Sequence, residues 1–255
     1  MLPVVLSATT FRPANAEQMP VRQRIAFPDV RLEVFGLPWF SEDKPALRRL
    51  PLRLKDRFRS PVWDLAQDPS GGRIRFRTDS TTIGLVAQNP GFSNMHHMAS
   101  VGENGFDLYV GRDYVGSAWP DASGKISKEW RVGRERRMRD ITLYLPLYKA
   151  VAIQELSLDA DAQLERPKPY AVPKPIVYYG SSITQGGVLP ILAAPARRSW
   201  SETSMPILSI WGSAATVWVN QLWQKLFVDW TRLASCWTFG ATRQQTNTPP
   251  RCRSL

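Results

Sequence analysis

Between residues 72 and 159 the chain consists of short runs in which apolar and polar residues alternate. These runs are "GRIRFRTD", "TTIGLVAQ", "GFDLYVGRDYVGSAW", "DITLYLPLY" and "VAIQELSLD". They are rich in β-branched and aromatic residues, and "DPSGG", "NPG" and "DASG" punctuate them. A period of two sends alternate side chains to opposite faces of a strand, so one face can be wet while the other seeks a second sheet to cover it. Short strands at turn-punctuated spacing predict a mainly β chain, with an antiparallel jelly-roll-like sandwich over residues 21–164. Residues 1–20 are expected to be disordered or signal-like.

That start, "MLPVVLSATTFRPANAEQ", has a short apolar stretch and an Ala-Asn-Ala like a cleavage site, but no basic leader. It leaves a secreted or periplasmic location and a cytoplasmic one both open. No apolar run approaches the length of a membrane-spanning helix. Cys236 and Cys252 are the only cysteines, too few for a disulfide framework or a cysteine-based zinc site. The net charge of +11 would suit a polyanion partner if the cations clustered. Instead "RFRSPVW" and "GRIRFRTD" alternate Arg with other residues, and "RVGRERRMRD" mixes in Glu135 and Asp140, so the charges read as solvated faces and no nucleic-acid partner is expected.

Character changes after Gly187. Beyond it lie six of the ten Trp, both Cys, no Tyr and no His, whereas all seven Tyr precede it. Just upstream, the four prolines of "ERPKPYAVPKP" predict a stiff linker over 165–175. "PIVYYG" follows, apolar or aromatic on both faces like a fully buried strand, and it delivers the chain to the turn "SSITQGG". A serine at the end of a buried strand has a fixed backbone, an exposed hydroxyl and nearby N–H groups able to hold an oxyanion.

"YYGSSITQGG" resembles the first motif of the SGNH (GDSL-like) hydrolases, with Gly180-Ser181-Ser182 standing where Gly-Asp-Ser is usual. Upstream, Gly105-Phe106-Asp107-Leu108-Tyr109 resembles the Gly-x-Asp-Leu-Tyr signature of the β domain that precedes the hydrolase in one branch of that family. The resemblance implies that Ser182 is the nucleophile and its backbone N–H an oxyanion donor, and that Gly105, Asp107, Leu108 and Tyr109 form the domain signature. It further implies that residues 176–187 begin an α/β, flavodoxin-like SGNH domain. Ser181 departs from the usual Asp, so any role of that carboxylate is absent. No metal or organic cofactor is implied; the implied substrate is an ester of a short acyl or acetyl group, with acylated carbohydrate as one class.

The family's remaining parts do not follow Gly187 in their usual form. The second-motif Gly, the third-motif Asn and the Asp and His that activate the serine have no counterpart, and the chain's two histidines, His96 and His97, lie upstream. Reading the tail one nucleotide out offers a reason. Combining the third base of each codon with the first two of the next, "ILSIWGSAATVW" permits "VNLGFSGNGL", which resembles the second motif, and "SCWTFGATRQQTN" permits "VLDFWSNPAANEY", which resembles the third. Some positions are forced: Trp211 before Gly212 must give Gly, and Trp230 before Thr231 must give an acidic residue. Others fail, since Pro195 before Ala196 cannot give Tyr. Residues 188–255 are thus expected to be an out-of-frame tail, with an amphipathic helix near 216–234 where Trp218, Leu222, Trp223, Leu226, Phe227 and Trp230 share a stripe.

Two functions compete. One is a serine ester hydrolase whose chain, as given, is inactive for want of a base. The other is a non-catalytic β-sandwich that binds a carbohydrate or a partner. His96 or His97 substituting for the base is disfavoured by their place in the β domain. Oligomeric state is not legible.

Overall fold

A computed structural model describes residues 21–171 and Gln185, together with the backbone of Ile176–Gly180, Ile207–Trp211 and Trp237–Gly240. The chain is mainly β, and its principal sheets are antiparallel. In the first sheet β1 (Arg22–Ala26), β9 (Ala152–Asp159), β4 (Thr82–Gln88) and β7 (Lys125–Arg131) lie in the order β1-β9-β4-β7. The second runs β10 (Leu164–Glu165), β3 (Arg73–Thr78), β8 (Arg139–Tyr144), β5 (Phe106–Val110), β6 (Asp113–Ala118), and β2 (Glu33–Phe35) also pairs with β3. One hydrophobic cluster joins the inner faces: Ile83, Leu85 and Leu158 from the first sheet meet Ile74, Phe76 and Leu143 from the second. All six are at most 1 % exposed, and burying each such side chain stabilises the sandwich by about 1.5–3 kcal/mol.

All five alternating runs are strands, and "GFDLYVGRDYVGSAW" is a hairpin, β5 to β6. β7 was not anticipated. Its sequence KISKEWR turns only Ile126 and Trp130 inward and leaves charged residues outside, so its apolar signal is thin. It lies at the sheet's edge, where exposed charges discourage pairing with another chain. "DASG" makes a tight turn in which Gly124 N–H donates to Asp121 O at 3.0 Å, and its φ of +79° favours glycine there.

Three short helices accompany the strands. α1 (Phe40–Asp43) buries Phe40 in the main cluster, α2 (Ser60–Ala66) supplies Trp63 and Ala66 to a satellite core with Leu50, and α3 (Ser100–Asn104) leads into β5. Among the described residues no helix is long and apolar enough to cross a membrane.

The proline-rich segment is not a free tether. Pro167 is buried, and the Tyr170 ring meets Phe35 edge-on at 5.1 Å while its hydroxyl accepts hydrogen bonds from Arg73 Nε and Nη2 at 3.1 and 3.0 Å.

Beyond it β11 (Ile176–Gly180) forms the centre of a parallel trio, with β12 (Ile207–Trp211) on one side and β13 (Trp237–Gly240) on the other. The unbroken apolar run IVYYG suits the central position of a parallel sheet, where strands lack a polar alternation. The order β12-β11-β13 is the beginning of the 2-1-3 order of doubly wound, flavodoxin-like sheets. These two tail strands had no counterpart in the reading of the sequence as written, yet both lie in the stretches whose codons permit the second and third motifs. The helix expected near 216–234 lies outside the described residues, as does the N-terminal segment 1–20.

Candidate active site

In a parallel sheet the carboxyl ends of the strands face the crevice where ligands bind. Gly180, the last residue of β11, stands level with Trp211 and Gly240, so β11 ends at that side of the sheet. Ser181 and Ser182 lie outside the described residues. Gln185, three residues past Ser182, is described, and it is 1 % exposed. Its amide Nε2 donates to Ser70 Oγ at 2.7 Å and to the Leu147 carbonyl, and Ser70 Oγ donates to the same carbonyl. Ser70 sits between α2 and β3, and Leu147 follows β8. Gln185 is therefore fastened to the sandwich by buried polar contacts.

Leu147 has a second set of neighbours. With Tyr148 it forms a small cluster on which Met95 and Met98 pack. Those methionines bracket His96 and His97, both exposed on a turn. Glu103, fully buried in α3, anchors that turn: its Oε2 accepts from Met95 N–H at 2.8 Å, its Oε1 lies 3.4 Å from Lys149 Nζ, and its carbonyl accepts from Tyr148 N–H at 3.1 Å. The histidine turn and Gln185 thus meet the same short segment, Leu147–Tyr148.

Buried charge surrounds this junction. Arg49, 5 % exposed, donates through Nε to Asp68 O at 2.7 Å and through Nη2 to Leu65 O. Burial pushes Arg49 down to about 10, offset in part by Asp68. Burial likewise pushes the Asp68 carboxyl up to about 7; Arg49 and Lys149 oppose that rise and Glu103 adds to it. Unfolded, Asp68 would titrate near 3.8, so between that value and about 7 the folded chain keeps a proton the unfolded chain has lost. Asp68 thus favours folding at low pH, and that contribution is lost as pH rises to about 7. Asp68→Asn is expected to be more stable than the parent by about 1–3 kcal/mol at pH 8, a gap that narrows towards pH 5. Urea melts of both proteins across that range check it; a gap independent of pH would refute it.

Each signature residue has a structural part. A Cβ on Gly105 would lie 2.3 Å from the Val101 carbonyl oxygen, closer than atoms can approach. Asp107 is fully buried and accepts from Ser117 Oγ, which also meets Tyr114 Oη at 2.6 Å, tying β5 to β6. Leu108 lies in the core between the sheets. Tyr109 is buried too, outside the core between the sheets, its ring 5.4 Å from Tyr114 and 5.5 Å from Tyr144. Gly105 follows directly on α3, the helix that holds Glu103. The buried group Ser70, Glu103, Asp68 and Arg49 was not picked out from sequence, because isolated polar residues in "DPSGG" and "SVGEN" carry no periodic signal. Among the described residues no cluster of His, Cys, Asp or Glu could hold a metal ion.

The family described as "GxDLY: N-terminus of Esterase_SGNH_hydro-type" matches residues 26–164. The chain belongs to this GxDLY family of SGNH-type esterases. Two solved structures share its fold. One is a protein of Bacteroides ovatus ATCC 8483 described as a GDSL-like lipase, at 20 % identity and a TM-score of 0.73, covering 85 % of this chain and 63 % of that one. The other is the salicylyl-acyltransferase SsfX3 from a tetracycline biosynthetic pathway, at 19 % identity and 0.69, covering 85 % and 60 %. The GxDLY chain thus spans a little over three fifths of the length of these structures. No curated protein matches it in sequence. Among the described residues Gln185, through Ser70 and Leu147, is what ties the segment after β11 to the sandwich.

Proposed function

We propose that this chain carries the nucleophile of a serine ester hydrolase, Ser182, and that its 255 residues by themselves turn over little or no ester. The observation that carries the reading is that the Gly180–Gly187 motif follows in sequence directly on the carboxyl end of the central parallel strand β11, in a chain of the GxDLY esterase family. In the proposed chemistry Ser182 Oγ attacks the ester carbonyl, and the oxygen that becomes negative is held by the Ser182 backbone N–H. The alcohol then leaves, and water releases the acyl group from the serine. No metal or organic cofactor takes part. Short acyl or acetyl esters, carried on carbohydrate or another alcohol, are the proposed substrates.

The low activity follows from the missing base. A serine hydroxyl needs a base within hydrogen-bond reach to lose its proton, and loss of a triad member costs orders of magnitude in rate. No histidine follows Gly187, and the tail as written supplies neither a second-motif glycine nor a third-motif asparagine in the family's form. The shifted reading of the codons for 207–218 and 235–247, which permits those two motifs, supports an out-of-frame origin for residues 188–255.

Purified protein is expected to hydrolyse an aryl acetate no faster than its Ser182→Ala variant. Appreciable turnover lost on that substitution would overturn the inactivity, and its further loss on His97→Ala would assign the base to the histidine turn. The nucleotide sequence across codons 180 to 260 tests the frame: stops early in the shifted reading would sink the out-of-frame account.

A further inference from the structure

The outer face of the second sheet carries a feature that ester hydrolysis at Ser182 does not use. Register aligns its outward side chains in rows: Arg73, Tyr144, Asp107 and Ser117 stand across from one another, and Arg75 is level with Thr142 and Tyr109. Over these rows lies a groove of about 390 Å³, walled on one side by Lys168–Ala171 of the proline-rich segment. This volume lies within the range of pockets that take small molecules.

Its lining brings Arg73, Arg75, Arg112 and Lys168 together, and Asp140 is the one carboxylate among the described lining residues. Asp140 already has a partner, Arg77, whose Nε lies 3.4 Å from its Oδ1. Arg75 is held otherwise. Its guanidinium lies 4.2 Å from the Tyr170 ring centroid and 5.3 Å from that of Phe35, while Arg73 fixes Tyr170 through its hydroxyl. Arg75 Nη1 is buried and has no hydrogen-bond acceptor. A guanidinium fixed between rings has already lost its rotamer freedom, and leaving one of its N–H groups buried without an acceptor is costly. That cost is offset when a ligand supplies the acceptor, and a planar carboxylate matches the guanidinium fork in two parallel hydrogen bonds.

We infer that this groove binds a carboxylate-bearing small molecule, with Arg75 taking the carboxylate and Lys168 adding charge at the rim. The ligand's body lies along the groove towards Tyr144. A phosphate or sulfate group would be attracted by the same cations but gains less from a planar fork.

Isothermal titration of the full chain with galacturonate, benzoate and citrate, against galactose, benzamide and inorganic phosphate, tests the inference. At least one carboxylate is expected to bind at least tenfold more tightly than its neutral counterpart and than phosphate, and more weakly as salt rises. Arg75→Gln and, independently, Lys168→Gln are expected to weaken that binding, Arg75→Gln by tenfold or more, with melting temperature and circular dichroism unchanged for Lys168→Gln. Three outcomes overturn the inference: no carboxylate binding at millimolar concentration, equal binding of neutral and charged partners, or binding untouched by both substitutions. Phosphate binding as tight as carboxylate would overturn the carboxylate assignment. Ester turnover is not read, so failure here leaves the role proposed for Ser182 standing.

Discussion

Glu103→Ala is expected to destabilise the sandwich by about 2–4 kcal/mol and to loosen the turn that carries His96 and His97. Glu103 is fully buried, and its carboxylate meets two groups, Met95 N–H at 2.8 Å and Lys149 Nζ at 3.4 Å. Truncation leaves the amide without its acceptor, costing about 1–3 kcal/mol. It also removes the counter-charge of Lys149, whose side chain is 24 % exposed and so partly regains water, which keeps the loss below that of a fully buried pair. Glu103→Gln keeps an acceptor for Met95 and should cost less than the alanine variant. Chemical denaturation of the three proteins checks the order, and amide exchange should show faster opening around Met95 in the alanine variant. If alanine and glutamine cost the same small amount, the carboxylate does not anchor the turn.

Substituting valine for Gly105 is expected to be at least as damaging, about 3 kcal/mol or more, and to lower the yield of folded protein. Even a Cβ would sit 2.3 Å from the Val101 carbonyl oxygen and 3.1 Å from that of Ala118. Both are backbone atoms, one in α3 and one at the end of β6, so neither can turn aside as a side chain could. Gly105→Ala should already cost about 1–3 kcal/mol, the range for forcing extra atoms into a packed core. The effect is steric rather than conformational, because Gly105 has an ordinary negative φ of −82°. Thermal melts of the two variants would decide this; an alanine variant as stable as the parent would mean that the α3–β5 junction yields easily.

Both residues stand within three positions of one another, yet the sequence treats them differently. Gly105 is legible because it opens a recognisable string, Gly-Phe-Asp-Leu-Tyr, and the structure adds the reason: close backbone approach at the glycine, a buried tie through Asp107, core packing at Leu108 and an outer wall at Tyr109. Glu103 is invisible by comparison. Its partners Met95 and Lys149 lie 8 and 46 residues away, and the rise of the Asp68 carboxyl to about 7 depends on groups from equally distant segments. A lone carboxylate in a short polar stretch reads as solvated until the fold buries it.

By itself the sequence determined the strands whose signal is local: five alternating runs, the turns between them, and the unbroken apolar run of β11 that ends at the serine turn. Strand periodicity and turn chemistry are set by neighbouring residues, so they survive without knowledge of the fold. Only the tertiary structure decided that KISKEWR closes an edge, that Tyr170 pins the proline-rich segment to β3, and that Gln185 joins Ser70 across 115 residues. Such contacts depend on which elements the shared core brings together, because buried polar groups must find acceptors among whatever backbone lies near. The signal of the strand that leads to the serines was local and readable. The wall on which Gln185 rests was assembled from segments that meet only when the chain has folded.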